Sequence, residues 1–256
     1  MMSVPLPADL RPTDLRPADL RPAGPYPARP RPGDGGERPG SVDPTLVSRA
    51  RPVSGREDRL LPVLPALRRL VGGAGLQRGT VLTVGVGEGR PGGGATTLGF
   101  ALLAAATTAG SWGAAVGTAD PGIVALDEMG VDLDRLALVP TPGGAWAEVA
   151  AALVDEMDMV LVRTPGRVGA GVARRLVARV RRRQAVLVVQ VGPGRWPEAP
   201  DVALVVEGGT WEGVDRGHGH LRGRRVEVAA TGRRAAVRGI RQRLWLPSAS
   251  GAVTMA

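Results

Sequence analysis

The chain contains neither cysteine nor lysine. Without cysteine there are no disulfides, no thiolate metal ligands and no cysteine nucleophile, which suits a cytosolic setting. Without lysine there is no Schiff-base chemistry and no phosphate-gripping P-loop lysine. All 33 basic residues are therefore arginine. Aromatic residues make up only 3% of the chain, so the core must be built from Val, Leu and Ala. The two histidines, His218 and His220, form an H-G-H pair with no third imidazole or thiolate to complete a metal site. A polar turn is the preferred reading, and no metal is expected. No serine has a histidine placed for a Ser-His-Asp hydrolase. There is no apolar run of about 20 residues and no apolar N-terminal signal core, so no membrane span is expected.

What is present is a chain of 256 residues, enough for one good-sized domain and a tail. The net charge of +9 suits an acidic partner such as nucleic acid, although Arg, Ala, Gly and Pro are also the residues that GC-rich codons supply. Residues 1–55 repeat D-L-R-P three times and continue in Pro and Arg. Proline at this density blocks helix and ladder hydrogen bonds, and disorder is expected. A helical lead-in is expected over 57–73, ended by Gly72 and Gly73.

The chain then alternates. Apolar strands are expected at 80–87, 112–119, 136–141, 157–164, 185–192 and 201–209. Helices are expected at 95–109, 121–130, 145–155 and 168–183. Strands apolar on both faces and separated by helices imply an α/β fold with a mostly parallel sheet covered on both sides. After 209 the pattern becomes polar and alternating, reading as an antiparallel strand or hairpin. A basic segment follows at 233–246, and residues 247–256 are expected to fray.

The chemistry concentrates in "GEGRPGGGATT". Gly89, Gly94, Ala95 and Thr96 fit the spacing G-x-x-x-x-G-K-T, with alanine at the lysine position. Such a loop has two separable parts. Backbone N–H groups of the glycines and the helix N-terminus bind phosphate oxygens, while the lysine and the Ser/Thr hydroxyl serve the outer phosphates and Mg²⁺. Only the first part and the hydroxyl survive here. Gly89, Gly92, Gly93, Gly94, Ala95, Thr96 and Thr97 are thus a degenerate nucleotide-binding set, or simply a glycine-rich strand-to-helix turn. The fourth strand ends in Arg163, where a P-loop ATPase places a metal-positioning Asp. Arg90 and Arg163 are candidates for direct phosphate contact, since guanidinium suits phosphate geometry.

The order of these segments resembles the ATPase core of RecA recombinases over residues 57–209. "ALDEMGVDLDRLALVPT" is the stretch most similar to it. Within that superfamily the chain is more similar to the short, degenerate RecA-like proteins of actinobacterial mutagenesis cassettes, the ImuA group. The resemblance implies a three-layer RecA-like P-loop fold over residues 56–246 with a basic C-terminal part. It also implies an accessory role in the DNA-damage (SOS) response and translesion synthesis, beside an ImuB-like Y-family protein and an error-prone polymerase, in the cytoplasm or at the nucleoid. Ala95, Arg163 and the short "GTADPG" turn, which offers only Asp120 where RecA carries a catalytic Glu, depart from the family pattern. They imply a non-catalytic protein with no cofactor, or with ATP and Mg²⁺ held weakly. The alternatives are a weak ATPase or recombinase with a non-standard P-loop, and a purely structural subunit.

Two arginine clusters remain. One is Arg174, Arg175, Arg179, Arg181, Arg182 and Arg183 on a helix. The other is Arg216, Arg222, Arg224, Arg225, Arg233, Arg234, Arg238, Arg241 and Arg243, with Trp211 and Trp245 among them as the only stacking groups. Contact with DNA phosphates, contact with an acidic partner and a solvated basic face are all consistent with them. The acidic pairs Asp127-Glu128 and Asp155-Glu156 read as solvated surface.

Overall fold

A computed structural model describes residues 60–73, 75–87, 93–192, 196–215, 218–233 and 239–256. The Pro/Arg-rich segment 1–55 lies outside the described residues. The elements are β1 (Leu60–Pro62), α1 (Arg68–Val71), β2 (Gly75–Gln77), β3 (Val81–Val86), α2 (Ala95–Thr108) and β4 (Gly113–Val116). They continue with α3 (Ile123–Glu128), β5 (Leu136–Val139), α4 (Trp146–Glu156), β6 (Met159–Arg163), α5 (Ala170–Arg183) and β7 (Val186–Gln190). The C-terminal part is β8 (Val202–Asp215), β9 (His218–Gly232), β10 (Ile240–Trp245) and β11 (Thr254–Met255).

β3 to β11 form one mixed sheet of nine strands in the order β11-β10-β9-β8-β3-β7-β6-β4-β5. From β8 to β5 neighbouring strands are parallel; from β8 to β11 they are antiparallel. The chain is therefore an α/β protein with a large, mostly parallel sheet. The parallel half is buried on both faces, as its unbroken apolar strands require. On one face Leu82, Val84, Leu161, Val188 and Leu204 pack under α2. On the other, Val160, Val162, Leu187 and Val189 pack under α4 and α5.

Helix α2 carries Leu, Phe and Ala around its whole circumference and is correspondingly enclosed; Leu98, Phe100, Leu102 and Leu103 are fully buried. Gly99 lets it approach the sheet, because a Cβ there would lie 2.9 Å from Leu161 Cδ1.

The two faces differ beyond β8. Val226, Val228, Ala230 and Leu244 continue the α2-side core across β9 and β10. The opposite face of this antiparallel half has no helix on it among the described residues. It carries Arg225, Glu227, Arg241 and Arg243, the solvated side of an antiparallel sheet.

Three expectations need correction. Of the helical lead-in expected over 57–73, the described part, 60–73, is a short strand, a 3-10 turn at Pro65–Leu67 and a single helical turn, because Pro62 and Pro65 deny a longer helix its hydrogen bonds. The strand expected to stop at 209 runs to Asp215: a register shift between Val206 and Gly209 absorbs one extra residue and the ladder resumes. Residues 247–256 do not simply fray, since Val253 is buried and Thr254–Met255 pairs with β10 at the sheet edge.

Asp155 is not a merely solvated acid either. On α4 it accepts two hydrogen bonds from Arg179 of α5, at 2.7 and 2.6 Å, and a third from Arg183 at 2.9 Å. The Arg179 hydrogen bond holds its carboxyl below the usual carboxylate range, with Arg183 adding to the effect. A carboxylate depressed in the folded state contributes stability above its ordinary value and loses it as pH falls through the depressed one. Asp155→Asn is expected to cost about 1 kcal/mol at neutral pH. It should also flatten the loss of melting temperature below about pH 4, and an unchanged acid limb in a pH series of thermal melts would refute this.

Candidate functional site

The C-terminal ends of β3, β6 and β7 and the N-terminus of α2 converge on a cleft of ≈ 1020 Å³. In an open α/β sheet ligands bind at this edge. Gly94 caps α2 with φ +114°, a left-handed conformation that glycine adopts without strain. Ala95 follows, 5% exposed, as the first helical residue. The first bond that closes the helix runs from Leu98 N–H to Gly94 C=O, so the amides of Ala95, Thr96 and Thr97 precede the helical ladder at its positive end.

The structure brings several of the candidate residues together. Gly93, Gly94, Ala95, Thr96 and Arg163 all line this cleft. Arg163 ends β6, is exposed, and pairs in register with Gln190 of β7. Thr97 lies on the first turn of α2. Gly89, Arg90 and Gly92 lie outside the described residues.

Gln190, which the sequence reading did not single out, organises the floor. It is 8% exposed, and its Nε2 donates to Thr96 Oγ1 at 2.8 Å. One of the two lone pairs of the hydroxyl that would serve a magnesium ion is thus taken. Gln190 Oε1 and the nearby Trp196 Nε1 are buried without a hydrogen-bond partner among the described residues, and both residues line the cleft. Buried polar atoms left in this state call for a ligand or water. One signal for Gln190 was available: it is the polar terminus of an otherwise apolar strand, "AVLVVQ".

The donor set does not fit a magnesium nucleotide in the usual way. Ala95 supplies no cation, and Arg163 brings positive charge where a metal would need a carboxylate. The amides at the α2 N-terminus do fit a phosphate oxygen.

The C-terminal arginines divide by face. Arg216, Arg234 and Arg238 lie outside the described residues. Arg225 pairs with Glu212 at 2.8 Å, Arg241 with Glu207 at 3.0 Å, and Arg243 with Glu227 at 3.8 Å. These three, with Glu207 and Glu227, form an ion-paired ladder on the open sheet face. Arg233 donates to Ala199 C=O, and Arg222 is exposed.

Arg224 turns the other way. It is 5% exposed, its Nη1 donates to Gly93 C=O at 2.9 Å, and its guanidinium sits 5.7 Å from the Trp211 ring centroid. Burial pushes this guanidinium below its ordinary value. A residue grouped with the nucleic-acid candidates is instead a brace between the β8–β9 hairpin and the glycine turn. On α5, Arg179 and Arg183 share Asp155, and Arg174 lies 3.6 Å from Glu198. Arg175, Arg181 and Arg182 are exposed. His218 and His220 are exposed at the start of β9, and among the described residues no group of three metal-ligating side chains occurs. No described helix is long and apolar enough to cross a membrane.

Fold and site together define an α/β protein with a glycine-turn cleft at the C-terminal edge of a parallel sheet. The chain belongs to the MT3502 N-terminal domain family, whose model matches residues 69–198, just over half of the chain. Over 100 residues it is 45% identical to the uncharacterized protein Rv3395c of Mycobacterium tuberculosis (strain ATCC 25618 / H37Rv). That match covers 39% of this chain and 49% of the relative, so the chain spans about half the length of the curated relative it matches. The hairpin and β10 lie beyond the family match.

Proposed function

We propose that this chain is a non-hydrolysing RecA-like accessory protein of damage-induced translesion synthesis. In this reading it docks on an ImuB-like Y-family protein and an error-prone polymerase, and it contacts DNA through its basic surfaces. The observation that carries the non-catalytic part is the meeting of Ala95 and Arg163 in one cleft, where a lysine and a carboxylate would be needed. The Gln190–Thr96 hydrogen bond at 2.8 Å adds to this by taking one lone pair of the surviving hydroxyl. The accessory part rests on the resemblance of residues 57–209 to the ImuA group and on the net charge of +9. Co-purification of the full chain with a Y-family-like protein and a polymerase from the same genome tests the partner reading. If neither comes down with it, that part falls.

A second reading is supported by the unpartnered Gln190 Oε1 and Trp196 Nε1: a phosphorylated ligand held in the cleft without turnover. Titration with labelled ATP, with and without Mg²⁺, separates the two. Metal-independent binding favours the second reading, and absence of binding removes it.

A further inference from the structure

The β8–β9 hairpin continues past its neighbours. β3 pairs with β8 only through Val206, and β10 pairs with β9 only as far as Arg225. Residues 211–215 and 218–223 therefore form a two-stranded ribbon, tied at its base by the backbone bonds of Arg224 to Leu246 and Pro247. Two-stranded ribbons are marginal in water, and apolar side chains on them are uncovered. Here Trp211 is 45% exposed, and Val214 and Leu221 are 46% and 56% exposed. Trp211 is alone among the five tryptophans in being exposed; the other four are half-buried.

The Trp211 ring is held, not loose. Arg224, its cross-strand partner, lies over the ring and is itself tied to Gly93 C=O. A ring fixed in this way loses little freedom when a second planar group stacks on it. Arg222, two residues from Arg224 along β9, is exposed and has no acidic partner among the described residues. Glu212 is committed to Arg225 at 2.8 Å. The surroundings of the ring are thus cationic, which suits a base stacked on an aromatic with a phosphate beside it.

We propose that this ribbon binds single-stranded nucleic acid, with one base stacked on Trp211 and an adjoining phosphate on Arg222. The proposal deepens, and rests on, the reading that this chain contacts DNA. It assigns that contact to the ribbon and not to the ion-paired ladder of Arg225, Arg241 and Arg243, whose charges are already met by Glu207, Glu212 and Glu227.

The test uses the full chain and a labelled oligothymidylate of about 20 nucleotides, long enough for a stacking site. Anisotropy is measured at about 50 and about 200 mM salt. Trp211→Ala is expected to weaken binding roughly 5- to 100-fold, the range for loss of one stacked base, while Trp211→Phe stays close to the parent. Arg222→Gln should reduce the salt dependence by about one phosphate contact. An abasic oligomer should bind the parent as weakly as the thymidylate binds Trp211→Ala.

If the parent binds and Trp211→Ala binds equally well, the ribbon is not the site. The DNA reading then survives elsewhere, and the exposed Trp211, Val214 and Leu221 belong to a protein partner. Abasic and normal oligomers binding the parent alike would also overturn stacking. A parent that binds no oligomer at low salt overturns both this inference and the DNA reading. Because the abasic comparison is made on the unaltered protein, a folding defect in Trp211→Ala cannot imitate its outcome.

Discussion

Purified protein given ATP, Mg²⁺ and single-stranded DNA is expected to release phosphate no faster than the same mixture with Thr96→Ala. The cause lies in three side chains that meet in one cleft. Ala95 opens α2 where a lysine would follow the charge onto the outer phosphates. Thr96 keeps its hydroxyl, but Gln190 donates to it at 2.8 Å. Arg163 stands at the end of β6, so a divalent cation approaching the cleft meets like charge instead of a carboxylate. Each preorganised group missing from a transition state costs on the order of 10²–10³ in rate, and these positions act together. A single Ala95→Lys change is therefore expected to restore nothing measurable. Ala95→Lys combined with Arg163→Asp and Gln190→Ala, which frees the hydroxyl, is the variant expected to gain magnesium-dependent nucleotide affinity, by at least roughly tenfold. Turnover by the parent that disappears in Thr96→Ala would sink the non-hydrolysing reading.

Much of the fold could be read directly because its parallel strands are buried on both faces. Such strands appear as continuous apolar runs: five of the six expected between 80 and 209 lie within a few residues of their observed bounds, and the sixth starts as expected but runs on to Asp215. The glycine turn and Arg163 were legible as a pair for the same reason: each ends an apolar run at the same edge of the sheet. The Gln190–Thr96 contact was not, since it joins residues 94 apart through the neighbouring positions of β7 and α2.

The C-terminal arginines show a different limit. Composition treats Arg224 and Arg225 alike, yet neighbours on a strand face opposite ways. Val226, Val228 and Ala230 mark the inward parity, and Arg224 shares it. That parity was readable in "RRVEVAA". What could not be read was that the glycine turn, 131 residues earlier, would supply its acceptor. The same logic explains the ladder. Arg225, Glu227, Arg241 and Arg243 fall on the outward parity of β9 and β10, where no described helix covers the sheet. Opposite charges facing one another let that side remain in water.

Arg224→Ala is expected to be the most destabilising arginine-to-alanine change among the described C-terminal arginines. The guanidinium is 5% exposed and does two things at once. It satisfies Gly93 C=O, and it backs the Trp211 ring. Gly93 is exposed, so water can replace the lost donor, and the hydrogen bond itself is worth about 0.5–1.5 kcal/mol. Loss of a partly desolvated cation–π contact adds about 1–2 kcal/mol, so about 1.5–3.5 kcal/mol in all is expected once the turn relaxes. For a domain of this size that lowers the melting temperature by about 5–15 °C. Arg224→Lys keeps a cation but not the planar fork that bonds and stacks together, so it should recover only part of the loss. The ribbon supplies a second readout. With its brace removed, limited proteolysis should cut within 211–215 or 218–223 well before the parallel core is attacked. The contrast is with Arg243→Ala, on the open face, 3.8 Å from Glu227 and 75% exposed along its side chain. That change should move stability by less than about 0.5 kcal/mol. If the two variants melt alike, Arg224 is not a brace, and the coupling between the hairpin and the glycine turn is lost with it.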